Sequence, residues 1–214
     1  MIHFLHTMPY RPTELTEARK AATREAIVAA ALAQVAAGGY ASAGMQVVSR
    51  RAAVAVGTVY RHFPSKGELF AEVFRRAAEP ELAVVIDVSA ADGRPASERI
   101  AAAVEAFCRR ALAAPVLAYA QIAEPVDPAV ESERLRLRVG YRDAFARVLD
   151  DGVAAGEFRP RDTRTVAAAL VGGLGEALVG PLSARSQGSK EALVATLVQF
   201  CQEALPHARD RVHA

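Results

Sequence analysis

The chain contains no tryptophan and no asparagine, and its only cysteines are Cys108 and Cys201. The two thiols fit no metal or redox spacing, so they are expected to be reduced and structural, as in a cytosolic protein. No HExxH, C-x-x-C, G-x-S-x-G, Glu-x-x-His or phosphate-loop pattern occurs. The five histidines, His3, His6, His62, His207 and His213, avoid the segments that would line a helical pocket. No catalytic constellation is therefore read, the chain is expected not to be an enzyme, and neither metal nor cofactor is called for.

Strand signals are equally scarce. β-branched alternation is rare and apolar residues recur at helical spacing almost throughout, which predicts an all-α chain. Apolar residues make up 52% and charged residues 23%, a globular balance and not the profile of a disordered protein. The opening MIHFLHTM has too short an apolar run and no early cation for a signal peptide. Residues 1–20 are read as a floppy leader, with Met8 as an alternative start. Residues 26–49 carry no charge, yet their Ala-rich composition, Gln34, Ser42, Gln46, Ser49 and the Gly38-Gly39 break argue against a membrane span.

The most informative absence is of negative charge. No Asp or Glu lies between Glu25 and Glu68, while Arg50, Arg51, Arg61 and Lys66 fall in that window. Residues 1–80 hold ten cations against six anions, and the remainder sixteen against eighteen. A surface built from this window would attract phosphates.

The periodicity predicts helices over Thr23–Ala37, Met45–Arg51, Gly57–Phe63 and from Ser65 to Pro80. Further helices follow over Ser97–Ala113, Val116–Ala123, Pro128–Gly156, Asp162–Val179 and Ser189–Leu205, and 89–95 is the best candidate for a flexible loop. In GTVYRHF, Val59 and Phe63 pack inward while Thr58, Arg61 and His62 point elsewhere, and Pro64 stops the helix. Ser65 followed by Glu68 reads as a capping box. Lys66 at a helix start works against the macrodipole, which implies a compensating anion such as a phosphate. A short helix, a turn and a second helix bearing small and basic residues can enter a major groove.

The stretch MQVVSRRAAVAVGTVYRHFPSKGELF, residues 45–70, resembles the DNA-binding domain of the tetracycline-repressor (TetR) family. Gly57, Thr58, Tyr60, Phe63, Lys66 and Leu69 stand where that family's pattern, close to GVSxGTxYxxF followed by Lys and Leu, wants them. Departures are Ala53 for the turn glycine, Ala55 for the serine cap, Gly44 for a capping Thr or Ser, and apolar Val56. The close match covers residues 24–75.

The resemblance implies a dimeric, ligand-released repressor of a palindromic operator. It divides the chain into the leader, a helix-turn-helix domain over 21–66 and a helical ligand-binding and dimerisation domain over 67–214. The DNA-contacting set is then Gln46, Val56, Gly57, Thr58, Tyr60, Arg61, His62 and Lys66. Pocket candidates for a largely apolar effector are Phe107, Leu117, Tyr119, Ile122, Tyr141 and Phe145, with Glu176 alone in an apolar run. The row Arg134, Arg138, Arg142 is expected to face solvent, and segments 166–182 and 189–205 are candidates for a four-helix dimer interface. The alternative is a sensor of the same fold that has lost operator binding.

Overall fold

The computed structural model of the chain describes residues 14–183 and 188–205. These residues form α1 (Glu14–Gly38), α2 (Met45–Arg51), α3 (Val56–His62), α4 (Lys66–Val88), α5 (Ala96–Ala113), α6 (Pro115–Ile122), α7 (Pro128–Ala154), α8 (Thr163–Leu182) and α9 (Lys190–Glu203). No strand element occurs among the described residues, and the chain is all-α as its periodicity demands.

Two apolar cores organise the helices. The first gathers Ile27, Val28, Ala31 and Val35 of α1, Met45 and Val48 of α2, Val59 and Phe63 around α3, and Leu69, Phe70, Val73 and Phe74 of α4. The second gathers Val85 of α4, Ile100, Val104 and Cys108 of α5, Tyr141, Phe145 and Leu149 of α7, and Leu170, Leu174, Leu178, Val194 and Leu197 of α8 and α9. Each large side chain fully withdrawn from water contributes about 1.5–3 kcal/mol, so both cores hold their helices through many such burials. The α4 helix runs through both and joins them as one strut.

Helix ends follow local chemistry. Ser65 accepts a hydrogen bond from the Glu68 amide at 3.1 Å, the N-cap half of the expected capping box, while its hydroxyl donates to the Glu68 carboxylate at 3.3 Å in place of the backbone amide that a full box would use. Asp162 and Ser189 cap α8 and α9 in the same way. By contrast, α5 has no side-chain cap of its own. The carboxylate of Glu157, from the turn after α7, accepts the amides of Ala96 and Ser97 at 2.7 and 2.8 Å instead. Gly152 makes this close approach possible, because a Cβ there would lie 2.4 Å from the Phe158 ring.

Two expectations about helix bounds need correction. Residues 14–20 are helical, not leader, and α1 starts nine residues earlier than its apolar stripe suggested, while residues 1–13 lie outside the described residues. The α4 helix does not end at Pro80 but continues to Val88. Proline removes one hydrogen bond, and the packing of Leu82, Val85 and Val88 on the second core holds the helix together beyond it. The loop 89–95 carries its own bonds: Arg94 pairs with Asp92 at 2.6 Å and donates to the Val88 carbonyl at 2.8 Å. The remaining helices start and stop within a few residues of expectation.

Candidate functional site

On the first core, α2 and α3 meet through a four-residue turn whose Ala53 adopts φ 53°, the left-handed region. The amide of Val54 bonds the Ser49 carbonyl at 3.0 Å and closes the turn. Val59 is buried on the core while Tyr60, at 48% exposure, turns outward. Arg61, Gly57 and Gln46 are exposed, Val56, Thr58 and His62 half-buried, and Gly57 has open space above its Cα. The eight DNA-contact candidates therefore lie on the α2–α3 pair and the α4 start, none of them withdrawn into the core.

The charge distribution sharpens this face. Glu25 pairs with Arg76, and Glu72 with Arg24 and Arg75, so these two carboxylates are neutralised between α1 and α4, while Glu68 in the first turn of α4 takes the Ser65 hydroxyl. None of Arg50, Arg51 and Arg61 has an acidic partner among the described residues. Lys66 is held differently from expectation: its ammonium sits 4.4 Å from the Tyr40 ring centroid and 5.6 Å from that of Phe70. These aromatic faces supply part of the compensation that the helix dipole denies it. Burial, then the charges of Arg61, Lys20 and Arg24, lowers the pKa of His62 below its ordinary 6.5. Neither Gly44 nor Ala55 gives α2 or α3 a side-chain cap.

In the second domain a cavity of about 770 Å³ opens between α5, α6, α7 and α8. Of the pocket candidates, Phe107, Leu117, Ile122, Tyr141 and Glu176 line it, and Phe107 meets Tyr141 edge-to-face at 5.3 Å. Two candidates do not. Phe145 is buried in the second core, and Tyr119 packs against that core from the side. Aromatics at helical spacing fill core positions as readily as pockets, and these two do so.

The arginine row of α7 is the larger correction. Arg134, Arg138 and Arg142 all line the cavity, and Arg134 is buried to 8% exposure; Arg138 is exposed and Arg142 half-buried. Leu135 and Val139, though 52% and 43% exposed, line the same cavity. Apolar residues on both flanks of a cationic row were the available sign that the row faces inward. Arg110, held by Glu81 of α4, and Gln121 complete a polar margin that sequence reasoning missed. Burial lowers the Arg134 pKa from its ordinary value, with the Glu131 carboxylate at 2.8 Å opposing the shift.

The fold and the sequence both have known counterparts. The sequence pattern of bacterial regulatory proteins of the tetR family matches residues 27–73, and that of the tetracyclin repressor-like C-terminal domain matches residues 93–177. The HTH-type transcriptional repressor KstR of Rhodococcus jostii is 46% identical over 56 residues, 26% of each chain. KstR of Mycolicibacterium smegmatis is 42% identical over 67 residues, 31% of this chain and 33% of that one. The match thus spans a third or less of these relatives' own length. The crystal structure of the transcriptional regulator FadR from Bacillus subtilis, in complex with stearoyl-CoA, superposes with a TM-score of 0.72 at 18% identity, covering 85% of this chain and 99% of that one. With both domains of the family recognised in order along a helix-turn-helix head and a helical body, the chain belongs to the tetR family of bacterial transcriptional regulators.

Proposed function

We propose that this regulator is a cytosolic homodimeric repressor that binds a palindromic operator and releases it when an amphipathic effector enters the α5–α8 cavity. The observation that carries the reading is the outer face of α2 and α3, where Arg50, Arg51 and Arg61 stand without acidic partners in a window devoid of carboxylates. Two such faces, about 34 Å apart in a dimer, would enter successive major grooves. Arg61, with Gly57 and Thr58, lies nearest the bases, Gln46 and Val56 flank them, and Tyr60, His62 and Lys66 hold phosphates. Residues 21–66 carry these contacts, and 67–214 carry ligand binding and dimerisation.

The apolar wall of Phe107, Leu117, Ile122 and Tyr141, beside the cationic row of α7, suits a long acyl tail with an anionic end. The stearoyl-CoA in the FadR structure is of that chemistry. The test is operator selection from genomic fragments, followed by titration across ionic strength. Specific binding with a steep salt slope supports the reading, and no binding to any duplex at low salt ends it. A sensor without operator binding is favoured only by the left-handed Ala53 and the uncapped α2 and α3. Such a chain would pass unretained through heparin.

A further inference from the structure

Two nitrogen donors on the cavity wall are buried and lack a partner: Nε of Arg134 and Nε2 of Gln121. Buried donors of this kind are rare and costly. Both terminal nitrogens of Arg134 are engaged. One terminal nitrogen bonds Glu131 at 2.8 Å, and the other donates to the carbonyls of Ala120 at 3.2 Å and Glu124 at 2.7 Å. Arg134 therefore fastens the end of α6 and the loop that follows it.

That loop grips the DNA-binding head. The Glu124 carboxylate accepts the backbone amides of Tyr40 and Ala41 at 2.8 Å each, and the Tyr40 hydroxyl donates to Asp127. Gly39, at φ 76°, leaves room for this clasp, since a Cβ there would sit 2.8 Å from the Glu124 carboxylate. Tyr40 in turn carries the Lys66 ammonium on its ring. Behind the wall, Leu117 and Gln121 also line a small void of about 20 Å³ shared with Val35, Tyr40 and Phe70. The α6 helix is thus one helix thick between cavity and head.

We infer that Gln121 and Arg134 form an acyl-oxygen subsite, in which the carbonyl or carboxylate oxygen of an apolar-tailed ligand takes the two unpartnered donors and draws Arg134 away from the loop that clasps Tyr40. This rests on the ligand-released reading above and gives its trigger. The ligand prefers the loosened wall because only there do both donors find an acceptor, which is the differential affinity that a switch requires. The contacts from Arg134 through Glu124 and Tyr40 to Lys66 are contiguous, so the loosening reaches a residue placed on phosphate.

The test uses the full-length dimer, its selected operator, and three probes: dodecanoic acid, dodecanoyl-CoA and dodecanol. Calorimetry reads probe affinity, and anisotropy of labelled operator reads release. Wild type binds both acyl probes at least about tenfold more tightly than the alcohol, because the hydroxyl brings a donor of its own that two facing N–H groups leave unpaired in a buried site. Dodecanoyl-CoA binding more tightly than the acid assigns a thioester ligand with its phosphates at Arg138; equal affinity assigns the free acid. Gln121→Leu loses about tenfold for the acyl probes while melting as wild type does, and Arg134→Lys loses about tenfold but melts lower, because lysine cannot replace the bonds to Ala120 and Glu124. Glu124→Ala keeps acyl-probe binding but brings the ratio of operator affinities without and with probe from the usual allosteric range of about 5–150 to near one.

Wild-type preference for dodecanol, or unchanged acyl affinity in both wall variants, overturns the subsite. An unchanged release ratio in Glu124→Ala overturns the clasp as the route. Failure of the broader reading shows separately, as wild-type protein that ignores operator before any probe is added, and calorimetry still decides the subsite in that case.

Discussion

Ala53 shows how a single residue departs from what its backbone wants. A left-handed alanine costs roughly 1–2 kcal/mol relative to a right-handed one, and its φ of 53° places it there. Glycine removes the strain but adds freedom to the unfolded chain worth about 0.4–1 kcal/mol. Ala53→Gly is therefore expected to stabilise by about 0.5–1 kcal/mol, the difference between those terms. Ala55→Ser restores a side-chain cap to α3 and adds about 0.5–2 kcal/mol. Urea melts of the two single variants and the double check both. His62 adds a pH dependence of defined sign. Its folded pKa lies below 6.5, so the unfolded chain binds more protons. The contribution of His62 to stability is complete above that pH and is lost as pH falls through it. A phosphate raises the pKa again, so operator binding should take up a proton and tighten as pH drops from about 7.5 to 6. His62→Gln should flatten that dependence, and a wild-type profile already flat would remove His62 from the phosphate set. The thiols carry no such role: burial pushes Cys108 to about 12 and Cys201 to about 11.

At the scale of elements, α4 is the informative case. Pro80 leaves the Arg76 carbonyl without its helical partner in the middle of the strut that joins the two cores. Replacing it with alanine is expected to stabilise the chain by about 1–3 kcal/mol, read as a rise in melting temperature. A drop instead would mean that the backbone geometry proline imposes at position 80 is needed for the two cores to pack. The same helix shows what a sequence conveys and what it withholds. Val59, Phe63, Leu69 and Val73 announce their burial by spacing, so α2, α3 and the first half of α4 were legible, as was the basic face opposite them. Past Pro80 the helix survives through tertiary packing, which no local signal encodes. Residues 14–20 lack an apolar stripe altogether, with Leu15 at 62% exposure; only the acidic Glu14 and Glu17 of the first turn mark a helix start. The arginines of α7 were misassigned because cationic rows ordinarily face water. Here Glu131 and backbone carbonyls hold the two terminal nitrogens of Arg134.

At the scale of the whole molecule, the proposed dimer needs a face for its second copy. The α8 helix is long and apolar enough to cross a membrane by composition, with a mean hydropathy of 1.5 over its most apolar stretch and 28% of that stretch buried. Its inner side packs Ala167, Leu170, Leu174 and Leu178 into the second core, so it is a structural helix of the domain. Its outer side, away from the cavity, shows Ala169 and Gly173, and beside them Phe200 of α9 stands 51% exposed. Small residues next to one large aromatic allow two helix pairs to approach closely, as a four-helix interface requires. Ala169 points outward and lies outside the cavity wall, so Ala169→Arg should fold normally while placing two like charges at the two-fold axis. Light scattering should then report monomer. Operator affinity should fall by about 10²–10⁴, because each head would bind without the effective concentration that its tether supplies. Phe200→Glu should act in the same direction. Should both variants remain dimeric with undiminished operator affinity, the two heads must be joined through another face, and the α8–α9 surface would be free for some other partner.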